Sequence, residues 1–340
     1  VSVTILGVET SCDETSAAVV VDGQYIRSNI ISSQIDVHQK FGGVVPEVAS
    51  RKHLEMINGV LQEALDKAEI SFKDLDGVAV TYGPGLVGAL LVGVAAAKAM
   101  SYALDIPLLG VNHLEGHVFA NFLNNPRLSF PLLCLVVSGG HTDLVLINGY
   151  NDYNVVGRTR DDAAGEAFDK VARVMELGYP GGPAIDAAAR AGDSSVVKLP
   201  RAYLEEGSLD FSFSGLKTAV VNYVHRARQR GEALDAANLA AGFQRAVVDV
   251  LVDKTMAAAK RYETGVVMLA GGVAANSELR LRLDERAKSE GIELIYPPPV
   301  LCTDNAAMIA CAGYYKFVRG DFAPLTLNAV PNLKLGEDKY

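Results

Sequence analysis

The chain has 340 residues, 49% hydrophobic and 21% charged, enough to bury the cores of two lobes and too apolar for a disordered chain. A formal net charge of −9 argues against nonspecific coating of nucleic acid but leaves room for a local basic face. Cys12, Cys134, Cys302 and Cys311 form no C-x-x-C pair and suit neither a disulfide framework nor a zinc ribbon, which points to a reducing compartment. No signal-peptide pattern is read, and the apolar run Gly85–Ala97 is shorter than the about 20 residues a membrane span needs. A cytoplasmic protein without a membrane partner is expected.

In chain order, Val3–Val8 and Thr15–Val21 are apolar runs joined by the polar segment Glu9–Glu14, and read as two strands and a turn. Glu47–Ala68 has helical apolar spacing, and Gly88–Leu104 is small and apolar all round, which predicts a buried helix. Ile106–Val111 reads as a strand, Asn112 as an N-cap and His113 to about Leu123 as a helix. The prolines of Asn124–Pro131 mark a loop and the expected lobe boundary. Leu132–Val137, the turn Ser138–His141 and Thr142–Ile147 then repeat the strand, polar turn, strand unit. Leu239–Tyr262 is a long amphipathic helix, and Gly265–Ala270 is a strand leading through Gly271–Asn276 into a helix that ends near Ser289. Asn305–Val318 reads as a last helix with Thr303 or Asp304 as its cap. Strands alternating with helices give an α/β fold, and the recurring unit predicts duplicated lobes.

His113 and His117 stand one helical turn apart, outside the apolar face of their helix. That spacing lets two imidazoles converge on one metal ion. The competing reading is a pair of solvated histidines at a helix start. In the zinc-protease pattern H-E-x-x-H the glutamate directly follows the first histidine. Here Glu115 stands one position late, which argues against a peptidase. A third ligand must come from elsewhere in the chain. Asp304 is one candidate, although from sequence alone an ordinary helix cap is the better reading of it.

Ser138-Gly139-Gly140, Gly181-Gly182-Pro183 and Gly271-Gly272 read as tight turns, two of them directly after strands. Glycines there would permit positive φ and let backbone amides approach an anion. Together they point to a phosphate or nucleotide cleft. Asp169 and Asp186 near these turns could bind sugar hydroxyls, or could be solvated helix carboxylates. No Walker A pattern is present, which excludes a P-loop enzyme, and a usual dinucleotide binder is not expected.

Eight stretches taken together resemble one family. They are Gly7-Val-Glu-Thr-Ser-Cys-Asp-Glu-Thr15, His38-Gln-Lys-Phe-Gly-Gly-Val-Val-Pro-Glu47, Gly83-Pro-Gly-Leu86, Asn112-His-Leu-Glu-Gly-His117, Val137-Ser-Gly-Gly-His-Thr142, Ser212-Phe-Ser-Gly-Leu-Lys217, Gly271-Gly-Val-Ala-Ala-Asn276 and Cys302-Thr-Asp-Asn305. The family is TsaD in its bacterial branch: tRNA N6-adenosine threonylcarbamoyltransferases, formerly called Gcp or O-sialoglycoprotein endopeptidases. The resemblance implies a two-lobed actin-like, Hsp70-like and sugar-kinase-like (ASKHA) fold, with duplicated RNase H-like domains around a nucleotide cleft. Lobe I would span 1–130, with a C-terminal helix, 304–325, packed back on it, and lobe II would span 131–303.

The resemblance further implies that His113, His117 and Asp304 hold one divalent metal ion, Fe2+ foremost with Zn2+ as the other choice. Val136, Val137, Ser138, Gly139 and Gly140 would lie near the phosphate of an adenylate, Asp169, Gly182 and Asp186 near its ribose, and Asn276 near its adenosine. The implied reaction moves a threonylcarbamoyl group from threonylcarbamoyl-AMP to the N6 amine of the adenosine 3′ of the anticodon, in tRNAs reading ANN codons, and releases AMP. Asp13 or Glu14, on the first polar turn, would be the general base if one exists. Implied partners are tRNA, a TsaB-like paralogue, a TsaE-like ATPase and a TsaC-like synthase that supplies the adenylate. Lys198, Arg201, Lys217, Arg226, Arg228 and Arg230 would then be tRNA contacts or plain solvated charge. The alternatives are a metallopeptidase, an ATPase or sugar kinase of the same fold, and a non-catalytic scaffold.

Overall fold

The apolar runs form two sheets in a computed structural model that describes residues 2–337. Up to residue 129 the elements are β1 (Thr4–Glu9), β2 (Glu14–Val21), β3 (Tyr25–Ser33), α1 (Ile35–His38), α2 (Pro46–Ala68), β4 (Gly77–Gly83), α3 (Val87–Leu104), β5 (Leu108–Asn112) and α4 (His113–Phe119). There follow β6 (Leu132–Val137), β7 (Thr142–Gly149), β8 (Asp152–Arg158), α5 (Ala164–Val174), α6 (Gly181–Ala189), α7 (Ser214–Gln229), α8 (Ala236–Arg261), β9 (Val266–Ala270), α9 (Ser277–Glu290) and β10 (Glu293–Ile295). Two helices close the chain, α10 (Pro299–Cys302) and α11 (Ala306–Arg319).

The first sheet has the order β3-β2-β1-β4-β5 and the second β8-β7-β6-β9-β10. In each, the first three strands pair antiparallel and the last two join in parallel. The plan is the same in both, so the recurring unit legible in the sequence is a true duplication of architecture. The chain divides into two compact units, one made of residues up to 129 together with those from 297 onward, the other of residues 130–296.

In the first unit, strand alternation sends successive side chains to opposite faces. Leu6, Val8, Val78 and Val80 join a core with Ile57, Leu61 and Leu65 of α2 and Val92 and Val94 of α3. The other face takes α11, and it does so at very short range. A Cβ on Gly7 would lie 2.2 Å from the Ala306 carbonyl oxygen, and one on Gly313 would lie 2.4 Å from Ala79 Cβ. Gly320, at φ 71°, ends α11 in the left-handed conformation that glycine adopts without strain.

Three expectations change. α3 is not buried all round, because it lies on one side of the sheet beside α2. Its inward residues Ala89, Leu90, Val92, Gly93, Val94 and Ala97 are buried, whereas Val87, Leu91 and Tyr102 face outward. α3 is also long and apolar enough to cross a membrane by length and composition, yet its inward face is built into the sheet core. α4 stops at Phe119 and not near Leu123, and Phe122 and Leu123 stay buried in the turns beyond it. The cap of α11 is Asn305, whose side-chain oxygen accepts from Met308 N at 3.1 Å, so neither Thr303 nor Asp304 fills that role.

Because β1 and α11 meet backbone to backbone, Gly7→Ala is expected to lower stability by about 1–3 kcal/mol, the usual cost of overpacking. Urea denaturation measures it, and an unchanged midpoint would show that the two elements can part without penalty.

Candidate functional site

β5 delivers Asn112 to the start of α4, where its side-chain oxygen accepts from Leu114 N at 2.9 Å. This cap fixes the first turn of the helix. His113 and His117 therefore project from one face, with ring centroids 4.6 Å apart and planes at 75°. Both are buried: His113 is 8% exposed and His117 0%. The reading of two solvated histidines is thereby excluded.

Asp304, just before the cap of α11, meets both rings. Its Oδ1 lies 3.4 Å from His113 Nε2 and 3.2 Å from His117 Nε2. The three ligand atoms lie within 4.8 Å of one another. Ligands held at about 2.0–2.1 Å in a tetrahedron are separated by about 3.4 Å, so the two spacings from Asp304 to the histidines suit one ion. His117 adds a second sign. Its Nδ1 and Nε2 are both buried without a hydrogen-bond partner, which is costly for an imidazole unless something else occupies the nitrogen. The chemistry of the donors, two imidazoles and one carboxylate, suits a divalent transition metal.

Glu9 supports this group from behind, and spacing alone does not reveal it. Its Oε2 lies 3.0 Å from His113 Nδ1 and accepts from Thr81 Oγ1 at 2.6 Å. Its Oε1 accepts from Ser11 N at 2.5 Å, and Ser11 Oγ stands 3.1 Å from His113 Nδ1. A carboxylate on Nδ1 holds the proton there and leaves Nε2 free to bind an ion. The turn after Glu9 is tied down separately. His53 Nε2 donates to the Cys12 carbonyl at 3.0 Å, and its Nδ1 lies 2.8 Å from Thr15 Oγ1.

Burial opposes every charge in this cluster, and the partners decide the outcome. Burial pushes the Glu9 and Asp304 carboxyls up, but His113 overcomes it and holds both below their usual range. Burial pushes His113 down, but Asp304 and Glu9 raise it well above the usual imidazole value. His117 is lowered, chiefly by burial. Glu14 lies on the same turn without such a cation. Burial, with Asp304 and Asp13 repelling it further, pushes its carboxyl up to about 10.

The residues expected to face an adenylate all belong to the second unit. Val136 and Val137 are buried at the end of β6. The turn Ser138–His141 is closed by Ser138 N donating to the His141 carbonyl at 2.9 Å and His141 N donating to Ser138 Oγ at 3.2 Å. Gly139 and Gly140 do not need positive φ for this, contrary to expectation. A Cβ on either would meet nothing within 4 Å. Gly271 does need it: φ is 90°, and a Cβ there would lie 2.5 Å from the Val137 carbonyl oxygen.

Gly181 and Gly182 open α6 and so are not a free turn. Asp169 Oδ1 accepts from Gly181 N at 2.7 Å, and a Cβ on Gly181 would come within 2.5 Å of Asp169 Cα. Asp186 accepts from Ser277 Oγ at 2.7 Å and from Asn276 Nδ2 at 3.4 Å. Asn276 also donates to Gln244 Oε1 at 2.8 Å and caps α9 through Leu279 N at 3.0 Å. These residues thus form one connected rim: the β6–β7 turn, the faces of α5 and α6, and the start of α9.

Four of the six basic residues are paired with acids. Lys217, Arg226 and Arg228 lie on α7 and Arg230 just after it, whereas Arg201 pairs with Asp249 at 2.8 Å. Lys217 pairs with Asp162 and Arg228 with Glu176. As its displaced position in the sequence predicts, Glu115 does not face the histidines' ligand side: its Oε2 is 3.8 Å from Lys316 Nζ of α11.

A family model described as TsaD, tRNA N6-adenosine threonylcarbamoyltransferase, matches residues 25–311. Curated proteins of that name are similar over nearly the full length. That of Desulfitobacterium hafniense (strain Y51) is 61% identical over 98% of both chains, and that of Clostridioides difficile (strain 630) is 57% identical over 98% of both. That of Moorella thermoacetica is 59% identical over 97% of both. Among solved structures, component A of the Acidaminococcus fermentans (R)-2-hydroxyglutaryl-CoA dehydratase has a TM-score of 0.54 at 15% identity, over 93% of this chain and 99% of that one. Full-length HypF has a TM-score of 0.60 at 14% identity, over 94% of this chain and 47% of that one. These structures share the ASKHA-type fold with this chain.

Two outcomes follow from the cluster. Glu9→Gln keeps the shape but weakens the hold on His113 Nδ1, and is expected to reduce Zn2+ affinity by about 10–100-fold in competition titration. Glu14 has a folded value raised above its unfolded value of about 4.3, so stability is lost as pH rises from there toward the folded value. Glu14→Gln removes that slope. Urea denaturation of metal-free protein should show the variant more stable than wild type at about pH 8, with the gain vanishing near pH 4.

Proposed function

The chain belongs to the TsaD family of tRNA N6-adenosine threonylcarbamoyltransferases, and from that membership we propose how its residues divide the work. It is an acyltransferase that forms threonylcarbamoyladenosine in tRNA. We assign threonylcarbamoyl-AMP as donor and the adenosine 3′ of the anticodon as acceptor. The exocyclic amine attacks the carbamoyl carbon, the bond from that carbon to the phosphate oxygen breaks, and AMP leaves. The amine is a weak nucleophile, so activation falls on the electrophile.

His113, His117 and Asp304 would hold the metal, with Glu9 fixing the tautomer of His113. A bound divalent ion supplies Lewis-acid polarisation and orientation of the donor. The observation that carries this reading is His117, whose buried Nε2 faces Asp304 at 3.2 Å with no hydrogen bond. We assign Fe2+ as the native ion and Zn2+ as a substitute. Backbone amides of Gly139 and Gly140, with the Ser138 hydroxyl, would receive the phosphate, where removing one such donor typically costs about 100–1,000-fold in rate. Asp169, Gly182 and Asp186 would take the ribose and Asn276 the adenosine. Of Asp13 and Glu14, we assign Asp13 as acceptor of the amine proton, because burial keeps Glu14 protonated near neutral pH.

The tRNA contact we place on the exposed C-terminal turns of α7, at Arg226, Arg228 and Arg230. The outward face of α3, with Val87, Leu91 and Tyr102 exposed, suits an apolar helical partner such as a TsaB-like paralogue. A TsaE-like ATPase and a TsaC-like synthase complete the reaction system, in the cytoplasm where its tRNA substrate resides. The peptidase alternative lacks its base, because Glu115 faces Lys316.

The test combines protein, partners, threonylcarbamoyl-AMP and unmodified tRNA, with modified nucleoside read by mass spectrometry. His113→Ala with His117→Ala is expected to abolish product and bound metal together. Unchanged product from that double variant would remove the metal from the reaction, and metal analysis after anaerobic purification decides between iron and zinc.

A further inference from the structure

α4 carries the two histidines on one side and Glu115 on another. At about 100° per residue, Glu115 is rotated by about 200° from His113 and by the same angle from His117. Glu115 is 3% exposed and Lys316 1%. Lys316 Nζ lies 3.8 Å from Glu115 Oε2 and 3.5 Å from Asp321 Oδ2, just past the end of α11. Between these residues and the ligands, Gly116 lets α11 come close: a Cβ there would lie 2.5 Å from Ile309 Cδ1 and 3.3 Å from Met308 Cγ. α11 therefore meets α4 at three levels. Asp304 faces the histidines, Ile309 lies over Gly116, and Lys316 reaches Glu115.

A fully buried ion pair is a weak source of stability, because desolvating both charges offsets their attraction. In some proteins such a pair instead serves to select one arrangement over its neighbours. We infer that Glu115 and Lys316 are positioning residues for the metal ligands: their ion pair, with the close contact at Gly116, fixes α11 against α4 and so sets the distance from Asp304 to the two histidine nitrogens. The inference rests on the metal reading above. A slip of α11 along α4 would carry Asp304 with it, since Asn305 joins the aspartate directly to the helix cap. A metal's ligand distances tolerate only about 0.2 Å, so a small slip is enough to weaken the site.

The experiment titrates metal-free protein with Co2+ and follows visible absorption for coordination geometry and affinity, with thermal melting measured in parallel. Glu115→Gln, Lys316→Met and the double variant are compared with wild type. Glu115→Gln is expected to bind Co2+ at least about tenfold more weakly and with an altered spectrum, at temperatures where far-UV circular dichroism shows an intact fold. The double variant, which leaves no lone buried charge, is expected to recover melting temperature but not affinity. A lowered melting temperature with unchanged Co2+ affinity and spectrum in Glu115→Gln would overturn the inference, as would full recovery of affinity in the double variant. If Glu115→Gln does not fold, Lys316→Arg, which keeps the charge and changes the donor geometry, gives the same reading: a shifted spectrum supports the inference and an unchanged one overturns it. Wild type that binds no Co2+ would overturn the metal reading itself, and the inference with it.

Discussion

Asp304 lies against His113 and His117 in a largely buried volume. Two imidazoles and the carboxylates of Asp304 and Glu9 share it, and each would be expensive to bury alone. They tolerate one another because the charges alternate: the Glu9 carboxylate, the His113 ring and the Asp304 carboxylate stand in a line of contacts of 3.0 and 3.4 Å. His117 is left over at the end of that line with no hydrogen bond of its own. Much of the first unit can be read as support for this arrangement. β1 and β4 bring Glu9 and Thr81 together, β5 ends in the cap of α4, and α11 packs on the sheet at glycine range to deliver Asp304.

In the proposed function, the duplicated sheets let one architecture serve two chemistries. The β1–β2 connection carries Glu9, Ser11, Cys12 and Asp13, and its buried acids tune imidazoles. The corresponding β6–β7 connection carries Ser138, Gly139 and Gly140, with neither glycine crowded at its Cβ position. Acids suit the handling of a cation, and bare backbone suits an anion. The same turn position in a repeated plan has thus been given opposite electrostatic character by a handful of side chains, while the pairing of the strands around it has not changed.

Much of this is legible in the chain, because periodicity is local. The spacing of His113 and His117, the strand and turn units, and α2 nearly to its ends all follow from short windows of sequence. Burial of the histidines does not, since the residues that cover them arrive on α11, far along the chain. Asp304 illustrates the limit best. An aspartate ahead of an apolar helix looks like a cap, and only the neighbouring Asn305, one residue later, takes that role. Glu9 has no local signature at all, because its meaning lies in what faces it across the sheet. The glycines mislead in the other direction: Gly139 and Gly140 suggest strained turns, whereas Gly7, Gly181 and Gly313 are ones that packing requires.

The first unit is interrupted in sequence, since residues 130–296 intervene before its last segment begins. On a ribosome adding about 5–20 residues per second, β1 and β4 must wait on the order of ten seconds or more for the helix that covers their second face. The nascent chain holds an apolar sheet surface and a half-built ligand set through that interval. On the proposed ligand set, the site is complete only after Asp304 has left the exit tunnel, so metal loading is a late event and a chain truncated before Asp304 lacks one ligand.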